Sequence, residues 1–296
     1  MPIALFLAGA MMAATPLAAQ AQTAPASPPE SATPPESPPP APEKNVLEGD
    51  FLTVGGGLIY GPSYEGSNDY IAQPIPAMLG RIGGVTISPR SGGLALDVIP
   101  DPKGAKVGFS FGPTATYSAN RDRHIVDPVV RAAGRLDADI AVGASAGVSV
   151  YRVLDAYDSV SASVDVKWDV RGPTGGMQIS PSLNYITPLS KKLIATISIS
   201  AKHVNRDYAN YYYSVSGQQS LASGLPLYQA RGGWASVGGT LIMGYSLAGD
   251  LRKGGFSLVG IAGYTRLLND ARDNPYTAIR GTPAQFVAGG GIAYTF

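Results

Sequence analysis

The sequence predicts an all-β protein: a transmembrane antiparallel up-and-down β-barrel of about 12 strands, with short periplasmic turns and long external loops. Three observations lead to this fold class. Apolar and polar residues alternate along many short segments, charged residues are few, and the last segment alternates up to Phe296. About ten strands also fit the pattern, because Pro74, Pro76 and Pro89 interrupt short strands and proline cannot donate a ladder hydrogen bond.

The composition favours strands over helices. Charged residues make up 15% of the chain, against about 25% in an ordinary soluble domain. Glycine and tyrosine are abundant, with 37 and 16 residues, which suits turns and strands. The formal net charge of +1 indicates no nucleic acid or other acidic polymer as a partner. The chain contains no cysteine, so it cannot rely on disulfides.

The N-terminal residues have the pattern of a secretory signal peptide. The apolar run Ile3–Ala14 is too short to cross a membrane, and Ala19-Gln20-Ala21 matches an A-x-A cleavage site. No Lys or Arg precedes the run, which departs from the usual pattern. We expect Sec-type export and removal of residues 1–21, with cleavage near Ala21.

A Pro-rich segment follows the predicted cleavage site. Residues 22–49 are dominated by Pro, Ala, Ser and Glu over most of their length, and such a composition cannot bury enough apolar surface to fold. We expect a disordered, partly polyproline spacer in the periplasm. The barrel itself is expected over residues 50–296.

The clearest alternation runs from Val160 to Asp169. Its even-numbered positions carry Val, Ala and Trp, and its odd-numbered positions carry Ser, Asp and Lys. A soluble sandwich also alternates, but its polar faces usually carry many charges. Here the polar faces are mostly Ser, Thr, Gly and Asn, as in a barrel lumen. The predicted strands are 51–60, 71–80, 83–89, 92–98, 106–117, 137–151, 158–169, 176–187, 191–204, 233–247, 255–266 and 285–296.

The connections between these strands differ in length at the two ends. If the N-terminus is periplasmic, the inner connections are short and the outer set includes the long ones, which is the asymmetry of outer-membrane barrels. The long outer connections are 61–70, 118–136, 205–232 and 267–284.

The last strand carries the strongest single signal. Phe286, Ile292, Tyr294 and Phe296 share one apolar face. This ending resembles the signal by which the barrel assembly machinery recognises its substrates. The strand must also pair with the first one, because closure removes both open edges. We therefore predict that it closes the barrel, with these side chains facing outer-membrane lipid.

Several segments together resemble the MltA-interacting protein (MipA)/OmpV family of outer-membrane proteins, over about residues 50–296. The departures are the Pro-rich spacer and Asn274, where the family pattern has Ser. The segments that carry the resemblance are Gly61–Tyr70, Pro74–Pro76, Tyr212–Ser216, Leu267–Ala271, Asn274-Pro275 and Gly290–Phe296.

The resemblance implies an integral protein of the outer membrane. For some members it implies a scaffold that joins a lytic transglycosylase to a peptidoglycan synthase, and others are linked to adhesion, antigenicity or osmotic response. The residues alone leave alternatives open. Polar lumen faces suit a small porin-like diffusion channel and a barrel hydrolase is a further class, while the resemblance adds an adhesin.

No pattern predicts catalysis or a cofactor. Metal-ligand spacings and nucleophile motifs are absent from the sequence. His124 lies beside acidic residues in an outer connection, and His203 ends a predicted strand. We interpret both as polar loop or rim residues, so no catalytic, cofactor-binding or metal-binding residue is predicted.

The outer connection 205–232 is the candidate binding loop. Aromatic rings beside arginines suit a sugar or a peptide, although tyrosine is also common at membrane interfaces. The candidate residues are Arg206, Tyr208, Tyr211, Tyr212, Tyr213, Tyr228 and Arg231.

Overall fold

The computed structural model describes residues 45–102, 104–122, 124–171 and 175–296. The predicted signal peptide and most of the predicted spacer lie outside these residues. The end of the spacer, 45–49, is described and contains a 3-10 turn at Val46–Glu48. The Asn45 side chain caps this turn by accepting from the Leu47 amide at 3.1 Å, so local structure begins before the first strand.

Twelve antiparallel strands form a closed barrel, in which each strand pairs with its sequence neighbours and β1 pairs with β12. The prediction of an up-and-down barrel of about 12 strands is therefore confirmed. The strands are β1 (Phe51–Pro62), β2 (Tyr70–Ile82), β3 (Val85–Arg90), β4 (Gly93–Asp97), β5 (Val107–Ser118), β6 (Asp139–Tyr151), β7 (Ser159–Asp169), β8 (Met177–Pro188), β9 (Leu193–Val204), β10 (Gly233–Ser246), β11 (Gly255–Leu267) and β12 (Ala284–Thr295).

Inward-facing glycines allow β1 and β12 to approach closely. Gly57 pairs with Gly291 in this ladder, and a Cβ on Gly57 would lie 2.8 Å from the Gly291 Cα and still closer to the Gly290 carbonyl oxygen. A Cβ on Gly291 would in turn meet the Gly56 carbonyl oxygen. The closing seam therefore requires glycine because backbone occupies the space of a side chain.

The ladder between β2 and β3 is short, and prolines lie beside the gap. Only Gly80, Arg81 and Ile82 of β2 have partners in β3. Pro74 and Pro76 lie along the part of β2 that pairs with β1 alone. A proline is tolerated beside an unpaired edge, because the missing N–H is not needed there. The prolines that weakened the prediction thus mark the least regular part of the wall.

Alternation along each strand separates a lipid-facing surface from the lumen. In β7, Val164 is 42% exposed and Asp165 is 3% exposed, as the pleat requires of adjacent residues. Aromatic pairs lie on the outer surface near both ends of the wall, as in the contact of Phe256 with Tyr294 at 4.8 Å between ring centroids. The predicted closing-strand residues Phe286, Ile292, Tyr294 and Phe296 are all exposed.

The lumen has two chemically different walls. Serines and charged residues dominate β6 to β8, where Ser163 and Ser182 are hydrogen-bonded at 2.9 Å and Arg90 binds Asp165 at 2.8 Å. Across the barrel, from β9 to β2, an apolar set of side chains lies among hydroxyl-bearing ones such as Thr196, Ser198 and Thr240. Its inward-facing members are Ile59, Ile75, Ile194, Ile242, Val259 and Ile261.

The two ends of the barrel differ as predicted. One end has the short turns 83–84, 98–106, 152–158, 189–192 and 247–254, which we assign to the periplasm. The described α-helices all lie in the long loops at the other end. Within the described residues, no helix has the length and hydropathy needed to cross a bilayer. The helices are α1 (Pro128–Ala132), α2 (Arg206–Tyr213), α3 (Gly217–Ser223), α4 (Asn269–Asp273) and α5 (Pro275–Ala278).

Replacing Val164 by Arg tests the lipid-facing register. Val164 lies at the middle of β7, so the new charge would face hydrocarbon and should lower the free energy of unfolding by roughly 2–4 kcal/mol. The control is Ser161→Arg, in which the charge faces the lumen. Urea unfolding in lipid vesicles provides the measurement. Equal loss in both variants would contradict the assigned faces.

Replacing Gly57 by Ala tests the closing seam. The methyl group would overlap the backbone of β12, and overpacking of this kind should lower the unfolding free energy by about 1–3 kcal/mol. Gly260→Ala is the matched control, since a Cβ there meets nothing within 4 Å. Both variants are compared by urea midpoint. Equal urea midpoints for the two variants would show that the seam tolerates a side chain at position 57 and does not require glycine there.

Candidate functional site: the external cap and its cleft

The four long loops fold together over the external mouth of the barrel, and we call this assembly the cap. It comprises the described residues of 63–69, 119–138, 205–232 and 268–283. Two apolar clusters form its interior, and the first extends into the strand ends below the cap. One contains Leu136, Val204, Tyr208, Ala209, Tyr212, Tyr213, Ala230, Ala235, Leu267 and Ala271. The other contains Tyr64, Ile125, Val130, Ala133, Val215, Leu225 and Tyr276.

Capping residues in the sequence explain why short helices form in these loops. The Asn205 side chain accepts from the Tyr208 amide at 3.0 Å and begins α2. Ser216 and Gln219 form a reciprocal capping box at α3. Such caps satisfy amides that have no partner within the helix. They hold α2 and α3 in place even though each helix is too short to be stable alone.

A partly buried ion pair joins the first loop to β9. Lys202 of β9 donates to both carboxylate oxygens of Glu65 at 2.8 Å. The Tyr213 hydroxyl donates to the same carboxylate at 3.1 Å. Burial, followed by the negative charge of Glu65, raises the pKa of Tyr213 well above its usual value, so this phenol stays protonated as a donor.

An arginine lies at the centre of the cap with few polar partners. Arg121 is 2% exposed, and its guanidinium carbon lies 3.9 Å from the centroid of the Tyr276 ring. Its Nη1 donates to the Tyr212 carbonyl at 3.4 Å, whereas Nε and Nη2 have no hydrogen-bond partner among the described residues. Burial lowers the pKa of Arg121, and the nearby Tyr276 opposes this. The cation–π contact therefore compensates in part for this buried charge.

A second ion pair fixes α1 to the last loop. Asp127 caps α1 by accepting from the Val129 and Val130 amides at 2.8 and 3.0 Å. Its other oxygen accepts from Arg280 at 2.7 Å. Burial acts to raise the pKa of Asp127, but the hydrogen bonds from Arg280 and the two amides outweigh it, and the pKa is lowered overall.

The outer surface of the cap contains an open cleft of about 930 Å³ between 132–134 with Leu136 and the loop 205–232. Two of the predicted candidate residues, Tyr211 and Tyr228, line it. The other lining residues are small, apolar or amide-bearing. Among the lining residues, all of which lie in the described part of the chain, none carries a charge.

The structure separates the predicted candidate residues into three groups. Tyr208, Tyr212 and Tyr213 are buried in the cap interior, so they stabilise the loop and offer no surface to an external ligand. Arg206 and Arg231 are exposed but do not line the cleft. Tyr211 and Tyr228 line the cleft. Ligand binding by this loop stays a prediction.

Sequence reasoning missed the amide side chains of the cleft. Asn210, Gln218 and Gln229 line it together with the two tyrosines. A prediction based on aromatic and basic residues does not include them, although Gly217-Gln218-Gln219 is an uncharged polar run. The two histidines lie elsewhere. His124 is exposed in its loop, and His203 packs edge-on against Trp234 at 5.3 Å.

No metal site emerges from the acidic residues and histidines of the described ranges. Among them, no group of three or more His, Cys, Asp or Glu side chains is placed to hold an ion.

A family model of the MltA-interacting protein MipA matches residues 54–296. The chain belongs to this family. The match covers every strand except the first three residues of β1. With the closed twelve-stranded wall, family membership identifies an outer-membrane β-barrel. No curated protein matches the sequence.

Several solved outer-membrane barrels are similar in outline. An outer membrane channel from Pseudomonas putida F1 has 12% identity and a TM-score of 0.43, covering 84% of this chain and 96% of that one. OmpT of Vibrio cholerae has 10% identity and a TM-score of 0.34, covering 83% and 97%. OprD from Pseudomonas aeruginosa has 12% identity and a TM-score of 0.34, covering 84% and 66%.

The lowered pKa of Asp127 predicts that acid weakens the cap. Its ionised form is favoured in the folded cap, so its stabilising effect is present near neutral pH and is lost as pH falls through the folded pKa. Hydrogen exchange of the loop 119–138 should therefore accelerate as pH falls from neutral into the acid range, after correction for intrinsic rates.

Asp127→Asn removes the negative charge but keeps the helix cap, because the amide oxygen of Asn can still accept from the amides of α1. This variant should lose most of the acid dependence of exchange in the loop 119–138. Asp155→Asn, in a periplasmic turn, is the control and should keep the wild-type profile. Identical profiles in all three proteins would contradict a role for the Asp127 charge.

Proposed function

We propose that this protein is a non-enzymatic outer-membrane barrel that anchors a lytic transglycosylase at its periplasmic face. The family description, MltA-interacting protein, supports a partner of this class. Its structural support comes from the periplasmic end, where the turns expose apolar side chains such as Leu154 and Tyr157 toward the compartment of the cell wall.

The turn between β6 and β7 is the best-defined of these periplasmic surfaces. The Asp158 carboxylate accepts from the amides of Val153 and Leu154 at 2.7 and 2.9 Å, and from the Tyr185 hydroxyl at 2.9 Å. These bonds order a turn in which Leu154 is 84% exposed and Tyr157 is 71% exposed. Ordered apolar and aromatic side chains are what a protein partner uses as anchors.

The remaining partners complete the proposal. A peptidoglycan synthase would join through the transglycosylase, so that cutting and synthesis of the wall occur at one place. The predicted signal peptide and periplasmic spacer would deliver the chain and extend it toward the wall. The barrel assembly machinery would insert it through the closing strand that ends in Phe296.

A photo-crosslinking residue at position 154 tests this proposal. In native envelopes it should capture a lytic transglycosylase, identified by mass spectrometry. The matched control is position 221, because Leu221 is 91% exposed but lies on α3 in the cap. Capture at both positions, or at neither, would contradict anchoring at the periplasmic turn.

The polar wall of the lumen favours a diffusion channel as the second candidate function. Ser163, Ser182 and the Arg90–Asp165 pair line a water-compatible surface, but the cap would have to open for passage. Planar-bilayer recordings separate the two functions. A steady conductance of the intact protein would support the channel, and its appearance only after deletion of 214–229 would support a sealed barrel.

A further inference from the structure

We propose that the cleft on the cap is a binding site for an uncharged oligosaccharide, approached from outside the cell. The inference goes beyond the anchoring function, which concerns the opposite end of the barrel. It rests on three features of the cleft: its size and charge, its fixed tyrosines, and its free amides.

The size and charge of the cleft select the class of ligand. Its volume of about 930 Å³ is at the upper end of the range for small-molecule sites and can hold several sugar rings. Because no lining residue is charged, the cleft provides no guanidinium or ammonium for a phosphate, sulfate or carboxylate group. A neutral ligand is therefore favoured over an anionic one.

Two tyrosine rings are held rigidly at the cleft. The Tyr228 hydroxyl donates to Asp270 at 2.7 Å, and the Tyr211 hydroxyl accepts from the Asp137 amide at 3.0 Å. The Tyr211 ring also packs edge-on against Tyr212 at 4.9 Å. With both hydroxyls bound to the cap, the rings contribute apolar surface that is already ordered before a ligand arrives. Such surface suits the C–H face of a sugar ring.

Two amide side chains at the cleft remain available for hydrogen bonding. Gln218 and Gln229 are exposed, and neither side chain makes a hydrogen bond with the described residues. In contrast, Gln219 accepts from the Ser216 amide and Asn210 accepts from the Ser214 hydroxyl. A free amide can donate and accept at once, which matches the paired donor and acceptor of a sugar hydroxyl.

A glycan array tests the proposal with the full-length protein in detergent micelles. The probes are neutral hexose oligosaccharides, sialylated and sulfated oligosaccharides, and uncharged peptides as competitors. We expect binding to neutral oligosaccharides alone. Adding the polysaccharide purified from the bacterium's own surface distinguishes a ligand of the same cell from a foreign glycan. Preference for anionic glycans, absence of glycan binding, or displacement by the peptides would overturn the proposal.

The variant Gln218→Ala/Gln229→Ala locates the binding site. Loss of two hydrogen-bonding amides should weaken binding of the best neutral oligosaccharide about tenfold in calorimetry. Both residues are exposed, so the fold should not change. The difference in gel mobility between unheated and heated samples checks that the barrel is folded. Leu221→Ala, on the same helix as Gln218 but outside the cleft, should bind as the wild type does. Equal affinity in all three proteins would place the glycan elsewhere and reject this site.

Discussion

Backbone pairing across the membrane is the constraint on which the structure depends. No water in the hydrocarbon can satisfy an N–H or C=O group, so a spanning sheet must close on itself. Here closure requires β1 to meet β12, and the glycines at Gly57 and Gly291 bring the two backbones together. Once the wall is closed, the pleat directs alternate residues of each strand to the lipid and to the lumen. Closure also determines the positions from which the long loops emerge.

The strands could be predicted because their signal is local. Period-2 alternation over about ten residues identifies a strand such as β7 without knowledge of its neighbours. The region of Pro74 and Pro76 was ambiguous for a physical reason, since β2 pairs there on one side only. The exposed face of the last strand also follows from alternation, because the facing of one residue determines the facing of all the others in the strand.

The cap could not be predicted, because its contacts join distant residues. Glu65 and Lys202 are 137 residues apart, and neither segment alone indicates the other. Tyrosines in the loop 205–232 were expected to face a ligand, but Tyr208 and Tyr213 are needed to fill the cap interior. A buried tyrosine differs from an exposed one only in its neighbours in space. The composition therefore identified the loop, but it could not show which of its tyrosines are exposed.

The long-range contacts of the cap also impose an order on biogenesis. Gln285 of β12 accepts from the Gly66 amide and donates to the Ser67 carbonyl, each at 3.1 Å. These bonds require β12 and the first loop, so they form only after β12 has been made and the two ends of the sheet have met. A partly inserted barrel consequently lacks these contacts. Ordering of the first loop against β12 is therefore a late step of maturation, which depends on closure of the wall.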